Sequence, residues 1–427
     1  MSLYDKATLV QIPSGYKAAD AKLYSVLPNN GNGDFTVSAD ADATRVNKDG
    51  LIESTVANQA RLSRNFIDGV VQPDPFLLLE PTRRNLFLNS EDFSNSSWIK
   101  TRATVTANQA TAPDGSNNAD LLTGDGTGTT YVYDGVFLYS ATYYISIFVK
   151  NINGNDFTIQ NFTQSGTAVF DLVNKSVTST SGTMSDAKIE QYPNNWLRVS
   201  AKITSTLGGA NCNLGYGVKD YNGDQFYMWG AQVEDNASGG SVSNVSSYIP
   251  TTSASVTRTK DTCINGGNDA SFNDTEGVVF LDIEVPNNSI EVKQTSLNNG
   301  TTNEAVKILQ LNGTTFRFEV VMSSGTNFSQ DVTVNPYQRN KLALQYKAND
   351  YKVFVNGTKQ SVTQRSTLPS GLDRFNFNRG FSTTDDFTGS VYQLMVFNEA
   401  LTDAELQTLT SYDSFGQMAK ALLYTIE

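Results

Sequence analysis

Residues 389–406 read GSVYQLMVFNEALTDAEL, and this stretch decides the fold. In its first half Tyr392, Leu394 and Val396 fall on one face of an extended chain, and Val391, Met395 and Phe397 on the other. Side chains alternate with period two along a strand, so a strand apolar on both faces lies between two layers. Thr402 has Glu405 three residues on, the reciprocal pair that satisfies free amides at a helix start, and Leu401 and Leu406 are placed as a hydrophobic staple around it. The stretch therefore predicts a buried strand that runs straight into a short capped helix.

Working upstream, further strands are predicted at 277–284, 316–321 and 341–346, then a hairpin at Asn349-Asp350 and a strand ending in Asn356-Gly357, a pair suited to a tight turn with positive φ. This series, closed by the strand and helix above, resembles the concanavalin-like and laminin-G-like sandwiches over about residues 272–410. The resemblance implies a module that binds surfaces and rarely does chemistry.

From Pro81 to about residue 258, short alternating strands are separated by Gly/Asn turns, with no convincing helix among them, which argues for an antiparallel sandwich. Examples are 143–150, with Tyr143, Ile145, Ile147 and Val149 on one face, then 168–172, 196–203 and 225–234. Residues 236–247 are rich in Ser, Gly and Asn and read as a long loop. The fragments LEPTRRNLF (79–87) with SEDF (90–93), FDL (170–172) before NWLRV (195–199), and SYIPTT (247–252) with VTR (256–258) together resemble the carbohydrate-binding-module-like jelly roll of phage tail and fibre proteins, over roughly residues 80–258.

The expected fold is mostly β: two consecutive antiparallel β-sandwich (jelly-roll) domains, at 85–258 and 259–410, with an irregular N-terminal arm at 1–84 and a helical tail at 411–427. The first 84 residues hold short apolar pieces broken by turn clusters, and 45–53 reads as two short strands around Asp49-Gly50. They form either an anchoring arm ordered by its neighbours or a small irregular β-domain. In the tail, Met418, Leu422 and Leu423 share one side of a short helix, packed on its own sandwich or against another copy.

Composition narrows the function. The 427-residue chain carries a net charge of −12 with only 17% charged residues and no Lys/Arg run, which argues against nucleic acid as a partner. It has no histidine, so no Ser-His-Asp, Cys-His or His-zinc arrangement can form. Two cysteines, Cys212 and Cys263, make no disulfide framework; they either pair or stay as free thiols. No apolar run approaches membrane-spanning length, and residues 1–6 lack the charged and apolar regions of a secretion signal.

A sugar ring offers an apolar face rimmed by hydroxyls, so it is recognised by exposed aromatic rings beside amides and hydroxyls. Tyr131, Tyr133 and Trp98 are the candidates, whereas Trp196 and Trp229 lie within the fold's own pattern and read as core. A glycosidase needs opposed carboxylates; Asp282 and Glu284 share a strand face but are expected to look to solvent. Asp385 and Asp386 are the candidate calcium ligands, with Asp120 and Asp125 beside a Gly-rich turn, although no calcium-loop spacing is present and solvated acidic turns explain them. No cofactor is expected.

These readings converge on a non-catalytic virion protein of the head-fibre, tail-fibre or decoration type, assembled in the host cytoplasm. Its expected partners are capsid or tail proteins and host or mucosal glycans, with a homotrimer conceivable although no heptad seam marks one. The alternative is a secreted or surface-displayed bacterial glycan-binding protein.

Overall fold

The computed structural model describes residues 3–411 except 14, 18–19, 219–222, 287–292 and 381–385. The expected helical tail lies, beyond Ser411, outside the described residues. The protein is mostly β and antiparallel, as its sequence predicts.

The strand Gly389–Phe397 sits in the middle of a sheet that runs, in order, Thr358–Lys359, Lys352–Val355, Asn340–Lys347, Glu276–Glu284, Gly389–Phe397, Phe76–Leu79, Leu62–Ser63. A second sheet, from Gly325–Thr333 through Thr315–Met322, Ala305–Asn312 and Lys293–Asn298 to Arg374–Asn376, faces it. Val279, Leu281, Leu344, Leu394 and Val396 meet Ile308, Phe318, Val320 and Phe328 between the two. On the other side Val278, Phe280, Met395 and Phe397 pack against Leu401, Leu406 and Leu409 of the helix Asp403–Ser411. Both faces of the strand are thus buried. The cap forms as read: the Thr402 N–H donates to Glu405 at 2.8 Å, and the Glu405 N–H donates to the Thr402 hydroxyl at 3.3 Å.

One detail departs from simple alternation. The register with Glu276–Glu284 slips between Asp282 and Ile283, leaving Tyr392 as the extra residue. A bulge turns the side chains beyond it to the opposite face. Val391 accordingly joins Leu394 and Val396 in the main core, while Tyr392 rests on Phe76 with ring centroids 5.5 Å apart.

The first 84 residues are woven into both sandwiches. Ala7–Gln11 and Phe76–Leu79 pair with Gly389–Phe397 along its free edge, and Leu23, Phe35 and Val37 enter the same core. The predicted hairpin at the Asp49-Gly50 turn forms from Thr44–Val46 and Ile52–Ser54, with Gly50 at φ 78°. Its Ile52 packs on Phe148, Trp196, Trp229 and Tyr248 of the jelly roll. Short apolar pieces, too sparse for a core of their own, become ordered by completing two others.

In the jelly roll the two long strands Thr130–Asn151 and Leu197–Val218 pair along nearly their whole length. The register shifts between Leu138 and Ser140, where the Tyr139 N–H donates to the Tyr143 hydroxyl at 2.9 Å. Here the sheet folds over, so that Val132, Val136, Phe157 and Ile159 of one layer pack on Ile145, Ile147, Phe226 and Val233 of the other. Cys212 belongs to this core and Cys263 to the other, and both are free thiols.

Candidate functional site

The sequence fragments that stand out most are spent inside the protein. Glu80 accepts hydrogen bonds from Arg61 at 2.7 Å, from the Ser247 hydroxyl at 2.7 Å and from the Ser247 N–H at 2.8 Å, and pairs with Arg258 at 2.8 Å. Arg61 also pairs with Asp261, which accepts the Glu80 N–H at 2.7 Å. Burial alone would raise the Glu80 carboxyl, but Arg258, Arg61 and the Ser247 hydrogen bonds outweigh it and hold the group well below the ordinary carboxylate range. Asn85 donates to the carbonyls of Ala231 and Ile249, and Tyr248 meets Ser90 and Glu91 through its hydroxyl. The residues of the fragments at 79–93 and 247–258 form a buried clasp between the first segment and the jelly roll.

The three tryptophans are also buried. Trp98, Trp196 and Trp229 are each 1% exposed. For Trp196 and Trp229 this is the core role that their sequence context predicts. Trp98 packs between Phe87 and Phe93, at 4.8 and 4.9 Å between ring centroids, with its Nε1–H given to the Asn89 carbonyl, so its ring has no free face for a sugar.

Tyr131 and Tyr133 are placed differently. They lie two apart on the outer face of the first half of Thr130–Asn151, half-buried, with Val132 beneath them in the core. Phe162 stands between them, its ring centroid 4.8 Å from that of Tyr131 and 5.2 Å from that of Tyr133. Ile99, 49% exposed, pairs opposite Tyr133 on one side. On the other side lie Gly217 and Gly215, then Thr158 and Gln160. A Cβ on Gly217 would come 2.7 Å from Tyr131 Cδ1, and one on Gly215 2.4 Å from Tyr133 Cβ. Glycine at these two positions lets the aromatic side chains spread over the neighbouring strand. Further along, Phe137 and Tyr139 are exposed, with centroids 5.6 Å apart.

The jelly roll's two outer faces therefore differ. The hairpin of the first segment covers one, and the other shows a row of aromatic rings flanked by the amide of Gln160, whose Nε2 donates to the buried Thr158 hydroxyl at 3.3 Å. Among the described residues, this part of the face offers aromatic rings and an amide, a composition suited to stacking and hydrogen bonding.

The acidic candidates do not gather. Asp386 pairs with Lys260, and Asp385 lies outside the described residues. Asp120, buried, accepts the N–H groups of Phe93 and Asn108; Asp125, exposed, accepts from Thr127. Among the described residues no group of three or more Cys, Asp or Glu is arranged to hold a metal ion. Asp282 does not look to solvent as expected. It is 1% exposed and held by Arg339 at 2.7 and 2.8 Å and by Lys341 at 3.4 Å, while Glu284 accepts from the Tyr392 hydroxyl.

Sequence reading named the two tyrosines as candidates and did not name Phe162, Ile99, Phe137 or Tyr139, which lie near them. The signal was present in the register: Gly215-x-Gly217 complements Tyr131-x-Tyr133, but only once the two strands are known to pair.

The fold defines a protein of two β-sandwiches with one bare aromatic face. Residues 285–407 match the family model of the concanavalin A-like lectin/glucanases superfamily, where the sequence resemblance placed such a sandwich. Among solved structures, Ruminococcus gnavus IT-sialidase CBM40 bound to α2,3 sialyllactose is 16% identical, covering 35% of this chain and 94% of that one at a TM-score of 0.29. Domain 4 of the Geobacillus stearothermophilus arabinanase AbnA, in complex with arabinotriose, is 12% identical over 36% and 73%, TM-score 0.29. Trypanosoma rangeli sialidase with the inhibitor DANA is 10% identical over 76% and 63%, TM-score 0.29. Likeness this slight carries no inference about ligand or activity. A search of curated proteins gives no match.

Proposed function

We propose that this protein binds glycans without transforming them, through the outer face of its jelly roll. The observation that carries this reading is the placing of Tyr131, Tyr133 and Phe162 together on the uncovered face, beside Gln160 and over two glycines. Ring stacking with flanking amides suits the apolar face and hydroxyl rim of a neutral sugar. Screening the full chain on an immobilised panel of bacterial and mucosal polysaccharides tests it. Retention by at least one polysaccharide, with no release of reducing sugar on prolonged incubation, is expected.

We further propose that the binding module is displayed on a phage particle as a fibre or decoration protein, with capsid or tail proteins as its partners. The resemblance of the fragments at 79–93 and 247–258 to phage fibre proteins supports this. Many copies on one particle would turn weak single contacts into firm adhesion. Mass spectrometry of purified particles should find the chain in fixed ratio to the capsid protein; its absence from particles would end this reading.

A further inference from the structure

We propose that the cleft between the first segment and the jelly roll binds the carboxylate of an acidic sugar through Arg198 and Arg64. This second site is separate from the tyrosine face and stands or falls without it, sharing only the class of ligand.

The cleft has a volume of about 480 Å³, within the range of small-ligand sites. One wall comes from the first segment, including Arg64, Asn65 and Phe66, and the other from the jelly roll, including Tyr192 and Arg198. Arg198 is only 5% exposed. Its guanidinium lies 5.3 Å from the Phe148 ring centroid, Nη2 donates to the Ser146 hydroxyl at 3.1 Å, and Nε has no acceptor. Arg64, half-buried at the rim, gives Nη1 to the Gln72 carbonyl at 3.2 Å.

Among the described residues neither guanidinium has a carboxylate within 4.0 Å. The acidic groups of the lining do not serve. Glu80 is taken by Arg61 and Arg258, Glu190 is exposed although it sits opposite Arg198 in the strand pair, and Asp68 is exposed and touches Gln191. Arg61 and Arg258, the buried arginines of the clasp that meet Glu80, have their counter-charge beside them; Arg198 in the cleft does not, in a chain of net charge −12. A buried guanidinium without a counter-ion is costly, and a planar carboxylate is its best complement. Phe66 and Tyr192, with ring centroids 4.5 Å apart, add an apolar wall and Asn65 an amide, which suits the sugar ring that bears the acid.

Calorimetric titration of the full chain with D-glucuronate, D-glucose and acetate tests the assignment. Glucuronate should bind saturably with a dissociation constant on the order of 1 mM, and more tightly than glucose or acetate. Arg64→Gln and Arg198→Gln should each weaken it about tenfold. Thermal melts check the fold of each variant; if Arg198→Gln does not fold, Arg64→Gln at the rim decides. No saturable glucuronate binding, equal binding of glucose or acetate, or wild-type affinity in Arg64→Gln would overturn the proposal.

Discussion

Glu80 and Arg258 meet at 2.8 Å inside the protein, and through them the first segment, the jelly roll and the start of the second sandwich share one charge cluster. Removing one partner of a buried ion pair leaves the others uncompensated, which costs roughly 3–5 kcal/mol. Glu80→Ala strands Arg258 and leaves Arg61 with Asp261 as its remaining ion-pair partner. Its urea unfolding midpoint should fall accordingly, whereas a loss below about 1 kcal/mol would show the cluster to be ornamental.

The same carboxyl sets an acid limit. Its folded pKa is depressed by Arg258 and Arg61 against the opposing effect of burial. A depressed carboxylate contributes stability that is fully present above its unfolded value of about 4.3 and is lost as pH falls toward the folded value. Stability measured at pH 3 should be clearly below that at pH 7, and Glu80→Gln should shrink that difference. An unchanged pH dependence in the variant would move the acid sensitivity elsewhere.

At the closing helix two substitutions should differ in size. Thr402→Ala removes the cap and should cost about 1 kcal/mol. Leu406→Ala opens a cavity over Met395 and Phe397 and should cost about 2–5 kcal/mol. Chemical denaturation of both variants gives the order directly. Equal losses would mean that the helix is held by its cap and contributes little through packing.

Gly217→Ala places a methyl group against Tyr131 and the Thr130 carbonyl, 2.2 Å from that oxygen. The strand pair must shift, at about 1–3 kcal/mol, and the tyrosine row with it. Polysaccharide retention should drop while the second sandwich, followed by hydrogen exchange of Gly389–Phe397, stays as protected as before. Retention at wild-type strength would remove Tyr131 from the binding face.

Local pattern made the two sandwiches legible. The cap at Thr402, the turn at Asn356-Gly357 and the alternation of Tyr143 to Val149 are each written within a few residues. What escaped the sequence depends on pairing between distant segments. Val391 changes face because of a bulge set by its neighbour strand, and Asp282 is buried because Arg339 and Lys341 lie over it. Trp98 reads like a stacking residue until Phe87 and Phe93 close on it. The strands at Ala7–Gln11 and Phe76–Leu79 are short and lack a core of their own, so only the free edge of Gly389–Phe397 reveals their place. Phe162 and the glycines opposite the tyrosines were invisible for the same reason.

The measurement closest to the central claim is a titration of a retained polysaccharide against wild-type protein and Tyr131→Ala/Tyr133→Ala. The side chains are half-buried on an outer face, so the double variant should fold with a near-normal melt and lose binding by about tenfold or more, as stacking residues worth about 1 kcal/mol or more each imply. Undiminished binding by a folded double variant would contradict the account.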